Sequence, residues 1–154
     1  MSGAPVIRRA GAADLAAVLA LYAQPDLDDG NVLTVADAEQ IFARFARYPA
    51  YTLYVAEQDR RIVGSFALLI MDNLGHLGAP SAIVEDVVVD PALHSNGIGQ
   101  AMMTFAADEA RAKGCYKLVL SSNARRERAH RFYEALGFER HGYSFRLRFE
   151  EATQ

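Results

Sequence analysis

A glycine-containing turn joins an apolar strand to a helix in the second half of the sequence. The strand ends in Val87, Val88 and Val89, and the turn runs through His94, Ser95, Asn96, Gly97, Ile98, Gly99 and Gln100. The first N–H groups of a helix lack helical partners and carry partial positive charge, so glycines there let an anion approach closely. The turn is therefore a candidate phosphate site, although two glycines also fit an ordinary tight connection.

The turn lacks the residues of two common nucleotide sites. A Walker A loop ends in Gly-Lys followed by Ser or Thr, and a Rossmann fingerprint places G-x-G-x-x-G after the first strand. The sequence contains neither pattern, so nucleotide hydrolysis and hydride transfer lose support. A pyrophosphate held by backbone N–H groups is the interpretation that remains.

Two adjacent carboxylates, Glu85 and Asp86, interrupt the same apolar strand. Because burying an unpaired carboxylate is costly, such groups usually contact a cation, a hydrogen-bond donor or a solvent-filled cleft. Strand side chains alternate between faces, so only one of the two needs to line a cleft unless a bulge intervenes. A carboxylate there could bind an ammonium group and pass its proton to water. Glu85 is the first candidate for this role and Asp86 is the second. A salt bridge to an arginine at the strand end is the structural alternative.

A second motif consists of Asn123 followed by the run His130-Arg131-Phe132-Tyr133-Glu134-Ala135-Leu136-Gly137-Phe138. Spacing alone favours packing for the aromatic side chains of this helix. Together with His94-Ser95-Asn96-Gly97-Ile98-Gly99, however, the motif resembles the GNAT acetyltransferase family. The coenzyme loop of that family has the form Gln/Arg-x-x-Gly-x-Gly/Ala, and this chain departs from it only at His94.

The resemblance implies acetyl-CoA as co-substrate and direct attack of an amine on the acetyl carbonyl, with no metal. Residues 87–89 and 94–100 would hold the coenzyme through their backbone. Asn123 would hydrogen-bond the coenzyme arm, Tyr133 would protonate the departing thiolate, and Phe132 would pack, with a contact to the coenzyme. A phenol within hydrogen-bond reach can act as that acid even though its ordinary pKa is about 10.

Two further runs, from Val84 to Asp90 and from Gly114 to Lys117, resemble the small-amine branch of the family. That branch contains the glucosamine-phosphate and aminoalkylphosphonate N-acetyltransferases, whose substrates carry a phosphate or phosphonate. Guanidinium groups bind phosphoryl oxygens in bidentate fashion, so the basic helix could contact this group or the 3′-phosphate of the coenzyme. Its arginines are Arg125, Arg126, Arg128 and Arg131, and a solvated basic face is the alternative. His76 could also reach a substrate.

Two other functions stay open at this point. The acceptor could be a protein terminus or lysine side chain, since the loop of residues 24–32 carries Asp26, Asp28 and Asp29, which could attract a cationic peptide. From another class, the chain could bind an acyl-CoA without catalysis, as a sensor or a structural partner. Release of free thiol with a panel of amines and peptides separates these functions.

Composition limits the class of protein. A chain of 154 residues with 51% hydrophobic content fits a single domain, residues 1–154, with a substantial core. The net charge of −3 argues against nonspecific nucleic-acid binding. The single cysteine, Cys115, excludes an intramolecular disulfide and fits a reducing compartment. No segment reaches the roughly 20 apolar residues that span a membrane, so we expect a cytoplasmic protein that binds neither nucleic acid nor membrane.

Hydrophobic periodicity predicts the elements that position these residues. Their order, β α α β β β α β α β β, indicates an α/β fold with a mixed sheet of about six to seven strands and helices on both faces. The resemblance implies the GNAT fold. The pattern predicts a hairpin that turns at Asp59-Arg60 and a helix capped by Thr34. The tail of residues 143–149 alternates apolar and polar side chains. It is expected to form a strand whose apolar face needs cover, which favours a homodimer.

Overall fold

A mixed sheet of five strands, in the order β1-β2-β3-β4-β5, organises the chain. In the computed structural model, which describes residues 3–25 and 27–149, these strands are β1 (Val6–Arg9), β2 (Tyr51–Gln58), β3 (Arg61–Met71), β4 (Ser81–Val89) and β5 (Leu118–Val119). The first four strands are antiparallel to their neighbours, and β5 joins β4 in parallel. The mixed α/β sheet is confirmed, but the expected six to seven strands are five.

Four α-helices accompany the sheet in the described residues: α1 (Leu15–Tyr22), α2 (Val35–Arg44), α3 (Ile98–Ala112) and α4 (Glu127–Ala135). The cap of α2 is confirmed, since the hydroxyl of Thr34 accepts a hydrogen bond from the Asp37 N–H at 3.2 Å. Such a cap satisfies one of the N–H groups that a helix start leaves without a partner. None of these helices has the length and apolar character needed to cross a membrane.

The chain forms two compact units, Met1–Leu120 and Ser121–Gln154. In the first unit, helices cover both faces of the sheet. Leu53 and Ala67 join the buried cluster that includes residues of α1 and α2, whereas the neighbouring Tyr54 and Phe66 stack on the opposite face. There the ring of Tyr54 meets the ring of Phe105 of α3 at 5.0 Å. This alternation follows from the two-residue repeat of a strand.

The hairpin between β2 and β3 turns where the sequence predicts it. Asp59 and Arg60 both have positive φ angles, 51° and 64°, between the paired residues Gln58 and Arg61. Two successive residues with positive φ give the turn the twist that matches antiparallel strands. The turn fixes the register of β3, and β3 in turn pairs with the strand that carries the acidic pair.

The second unit contains α4, which is followed by Gly137 with φ 97°, and the tail of residues 138–149. The predicted tail strand is wrong for the described residues, because none of residues 138–149 lies in a strand. Alternation defines an apolar face, but a strand also needs an edge with which to form a ladder. The apolar side chains of this tail are 80–93% exposed: Tyr143, Phe145, Leu147 and Phe149.

Candidate functional site

A β-bulge lies at the acidic pair. Ser65 pairs with Val88 and Ala67 pairs with Glu85, so the single intervening residue of β3 opposes both Asp86 and Val87. The φ of Asp86 is 53°, a conformation that a non-glycine residue rarely adopts. A bulge leaves its extra residue unpaired and bends the strand. The bulge therefore interrupts the alternation of side chains between the two faces of the strand, and both Glu85 and Asp86 are exposed.

The acidic pair has a third carboxylate and two phenols in its surroundings. Protein around the Asp86 carboxyl raises its pKa, and the charge of Asp28 raises it further. Burial likewise raises the pKa of Glu85, with Asp86 as the second cause. The pKa values of Tyr22 and Tyr51 are raised by burial first and by the Asp86 charge next. These residues come from α1, the loop after it, β2 and β4, so separate parts of the first unit bring three carboxylates and two phenols within electrostatic reach of one another.

The structural alternative, a salt bridge between this pair and an arginine, is not seen within residues 3–25 and 27–149. The ion pairs there use other carboxylates, namely those of Asp14, Glu57, Asp90, Asp108 and Glu134. Carboxyl groups with raised pKa values are stronger bases than ordinary ones. The arrangement can therefore bind an ammonium group and accept its proton. Asp28 belongs to the acidic loop noted in the sequence, whereas Asp26 lies outside the described residues.

Within the described residues, one edge of β4 has no strand partner beyond Ile83. The parallel strand β5 pairs only with Ala82 and Ile83. On the other edge, the Asp90 N–H donates to the Val63 carbonyl at 2.8 Å, and bonded pairs alternate along an antiparallel ladder. The backbone groups of Val89 consequently point away from β3. The Val89 carbonyl accepts a hydrogen bond at 2.9 Å from the side-chain amide of Gln24, a contact that sequence reasoning missed.

The glycine turn presents three of the N–H groups that the sequence suggests, those of residues 98–100, whereas the His94 N–H donates to the Pro91 carbonyl at 3.5 Å. The first helical bond of α3 runs from the Ala101 N–H to the Gly97 carbonyl at 3.0 Å. The N–H groups of Ile98, Gly99 and Gln100 therefore have no helical partner. The Asn96 N–H, in contrast, already donates to the Leu93 carbonyl at 3.2 Å.

Gly97 and Ser95, two residues before it, both have positive φ angles, 81° and 71°. A Cβ built at Gly97 would meet no atom within 4 Å, so no other part of the protein crowds that position. Helix-start N–H groups beside a glycine suit a pyrophosphate group. The side chain of His94 is exposed, and nothing in its surroundings gives it a role.

The start of α3 is pressed closely onto β3 at Gly64, which sequence reasoning also missed. A Cβ at Gly64 would lie 3.0 Å from Sδ of Met102 and 3.2 Å from both Cγ2 of Ile98 and the carbonyl oxygen of Val88. Ile98 and Met102 are 1% and 0% exposed. A glycine inside an apolar strand is the sequence signal for such an approach. Gly64 therefore sets how near the helix start lies to the sheet.

In the second unit, Asn123 shapes the turn before α4. Its side-chain oxygen accepts a hydrogen bond from the Arg125 N–H at 2.9 Å, and its carbonyl accepts one from the Arg126 N–H at 3.0 Å. The same carbonyl lies 2.8 Å from Nε2 of His130. The turn is therefore fixed by local bonds that use both oxygens of Asn123 and leave its side-chain NH2 out of these contacts.

Tyr133 lies on the half-buried face of α4, where its ring meets those of Phe132 and Phe138 at 5.2 and 5.7 Å. Burial raises the pKa of its phenol, and the nearby Arg126 opposes this rise. The phenol is consequently protonated at neutral pH, as a general acid must be. Arg128 and Arg131 lie on the exposed part of the same helix.

Two further residues noted in the sequence, His76 and Cys115, lie in the first unit. The ring of His76 stacks on that of Tyr116 with centroids 4.0 Å apart. Cys115 is half-buried, and burial raises the pKa of its thiol. A thiol with a raised pKa is a poor nucleophile at neutral pH, so Cys115 is best understood as a packing residue.

The sequence and the fold are similar to those of known acetyltransferases. The sequence model of the Acetyltransferase (GNAT) family matches residues 15–138. The chain is 41% identical to a glucosamine 6-phosphate N-acetyltransferase of Trypanosoma brucei brucei over 56% of this chain and 57% of that protein. It is 31% identical to an aminoalkylphosphonate N-acetyltransferase of Salmonella typhimurium, over 59% of this chain and 58% of that one. The aligned part thus spans less than two thirds of either relative.

A solved structure agrees with the sequence matches. The fold superposes on a Trypanosoma brucei acetyltransferase with a TM-score of 0.82 and 31% sequence identity, over 94% of this chain and 99% of that one. The strand, turn and helix that carry the candidate phosphate site lie within the family match.

Proposed function

Because the chain belongs to the GNAT acetyltransferase family, we propose that it transfers an acetyl group from acetyl-CoA to the primary amine of a small molecule. The observation that carries the acceptor half of this proposal is the bulge at Asp86. It exposes two carboxylates beside a third, that of Asp28, whose charge raises the pKa of Asp86. The family match includes residues of both compact units, which supports their action as one acetyltransferase domain.

The glycine turn is proposed to hold the pyrophosphate of acetyl-CoA. The coenzyme supplies the acetyl group as a thioester. The N–H groups of Ile98, Gly99 and Gln100 lack helical partners and point outward from the helix start. Val87 and Val89 would offer backbone groups of the open β4 edge to the coenzyme arm, with the carbonyl of Val89 shared with Gln24.

We propose coenzyme roles for three residues of the second unit from the family pattern alone. The side-chain NH2 of Asn123 would donate to the arm near the thioester. Phe132 would pack beside the coenzyme, and Arg128 would contact the 3′-phosphate, since a guanidinium matches the geometry of phosphoryl oxygens. This assignment follows the family pattern that these positions match.

The reaction is proposed as a direct transfer in which one C–N bond forms and one C–S bond breaks. Glu85 or Asp86 binds the ammonium form of the acceptor and takes its proton, which passes on to water. The free amine attacks the acetyl carbonyl, the same carboxylate takes the second proton from the nitrogen as the amide forms, and Tyr133 gives its phenolic proton to the departing thiolate. Water then restores the proton of Tyr133. A carboxyl with a raised pKa is suited to this work, because general bases are most effective when their pKa is near the working pH.

The test is thiol release from acetyl-CoA in the presence of aminosugar phosphates, aminophosphonates, amino acids, polyamines and peptides. Turnover with a small amine supports the proposal. Turnover with peptides alone would instead make the chain a peptide acetyltransferase. A rise of melting temperature with acetyl-CoA, but no thiol release with any acceptor, would leave it a binding module.

The exposed tail supports a second, separate proposal: that the protein is a homodimer. Four apolar side chains of the tail, those of Tyr143, Phe145, Leu147 and Phe149, are 80–93% exposed in the single chain. Apolar patches of this kind commonly mark a protein interface. A second copy offers the same side chains in a two-fold arrangement. The mass in solution, measured by sedimentation, decides between monomer and dimer.

A further inference from the structure

Gln24 joins two regions of the first unit that are 65 residues apart in sequence. It follows α1 in the loop that carries Asp28, and its side-chain Nε2 donates to the Val89 carbonyl at 2.9 Å. Val89 is the last residue of β4, directly before the segment that leads to the glycine turn. The side chain of Gln24 therefore connects the acidic loop to the strand that carries the acidic pair.

The backbone of Gln24 also organises this loop. Its carbonyl accepts hydrogen bonds from the N–H groups of Leu27 and Asp29, at 3.1 and 3.0 Å. The N–H of Asp28 donates to the Tyr22 carbonyl at 3.0 Å. The turn that carries Asp28 is thus built on Gln24, and the side chain of the same residue fastens that turn to β4.

The position of Asp28 matters to the proposed acceptor site because the charge of Asp28 raises the pKa of Asp86. The other groups that interact electrostatically with Asp86 are Tyr22 from α1, Tyr51 from β2 and the neighbouring Glu85. Each of these three residues lies in a helix or a strand. Asp28 lies in a loop, so its position depends on the contacts that hold the loop.

We propose that Gln24 is a positioning residue of the acceptor site, which fastens the acidic loop to Val89 and thereby fixes the position of Asp28. The assignment of this region to the acceptor rests on the proposed function. The fastening itself is a property of the fold. A primary amide suits this role, because its NH2 group donates to a backbone carbonyl without adding charge beside three carboxylates.

The matched pair of variants is Gln24→Met and Gln58→Met. Methionine has nearly the same length and no N–H donor, and it introduces no charge. Gln58 is the control, since its Nε2 also donates to a backbone carbonyl, that of Gly3 at 2.7 Å. That contact lies at the turn end of the β2–β3 hairpin and involves none of the three carboxylates of the acceptor site.

The first measurement is amide hydrogen exchange, which needs no activity. The N–H groups of Leu27, Asp28 and Asp29 should exchange faster in Gln24→Met than in the wild type, because the turn opens once its fastening is lost. Gln58→Met should leave their exchange unchanged. Equal protection of this turn in all three proteins overturns the proposal.

The second measurement is steady-state kinetics with the amine that the wild type accepts. Gln24→Met should raise KM for the amine by about tenfold, the size expected from one hydrogen bond, with kcat and the Kd for acetyl-CoA within about twofold. The acid limb of kcat/KM should move to lower pH, because Asp28 no longer raises the pKa of Asp86. An unchanged KM and pH profile contradicts the positioning role. Absence of thiol release by the wild type contradicts the proposed function instead, and the exchange measurement still decides the role of Gln24.

Discussion

One added methyl group at Gly64 tests how closely the proposed coenzyme turn must be held against the sheet. A Cβ there would lie 3.0 Å from Sδ of Met102, 3.2 Å from Cγ2 of Ile98 and 3.2 Å from the carbonyl oxygen of Val88. The two side chains are fully buried, so their contacts relax only if α3 moves outward, and the contact with the Val88 carbonyl relaxes only if β3 and β4 shift. Overpacking of this kind costs about 1–3 kcal/mol.

That cost translates into measurable changes. In a domain of this size, each kcal/mol corresponds to roughly 2–4 °C of melting temperature, so Gly64→Ala should melt roughly 2–12 °C below the wild type. It should also bind acetyl-CoA more weakly, because Ile98 is the first residue of α3 and carries one of the N–H donors. Thermal unfolding and calorimetric titration with acetyl-CoA measure the two effects.

The matched control is Gly75→Ala. Gly75 has φ −66°, which alanine adopts without strain, and a Cβ there would meet no atom within 4 Å. This variant should behave like the wild type in both assays. The reasoning is refuted if Gly64→Ala and Gly75→Ala have the same melting temperature and the same affinity for acetyl-CoA.

Three further outcomes are expected from the site and the tail. Tyr133→Phe should reduce kcat by roughly 10²–10⁴-fold, the usual range for a general acid. The Kd of this variant for acetyl-CoA should stay close to that of the wild type. Full turnover of the variant across the pH range would show that Tyr133 is not the acid. Asp86→Asn should slow turnover yet raise the melting temperature at neutral pH. The folded state raises the pKa of Asp86 and so disfavours its ionised form, and asparagine removes that cost. The same variant should shift the acid limb of kcat/KM to lower pH, because the Asp86 charge raises the pKa of Glu85; a lower melting temperature would contradict this account. Replacing Phe145 and Phe149 together by serine should halve the mass seen in sedimentation, and an unchanged mass would separate the tail from any dimer.

Much of the fold followed from local patterns. The helix start at Thr34, the turn at Asp59-Arg60 and the strand–turn–helix around Gly97 each depend on residues that are close in sequence. A cap, a two-residue turn and a glycine at a helix start are local conformational preferences, and they act before distant contacts form. The tail strand failed for the opposite reason, since alternation specifies a face and not the partner edge that a ladder needs.

The sequence by itself determined which groups this protein brings to its candidate site: an adjacent pair of carboxylates, a glycine turn and a tyrosine in a helix that matches the acetyltransferase family. Only the tertiary structure decided how the first unit arranges the carboxylates and the turn. The bulge at Asp86 depends on the register between β3 and β4, and the contact from Gln24 to Val89 joins residues 65 positions apart. Strand register and long-range hydrogen bonds depend on the whole set of packed elements, because each one exists only when both partners are held in place at the same time.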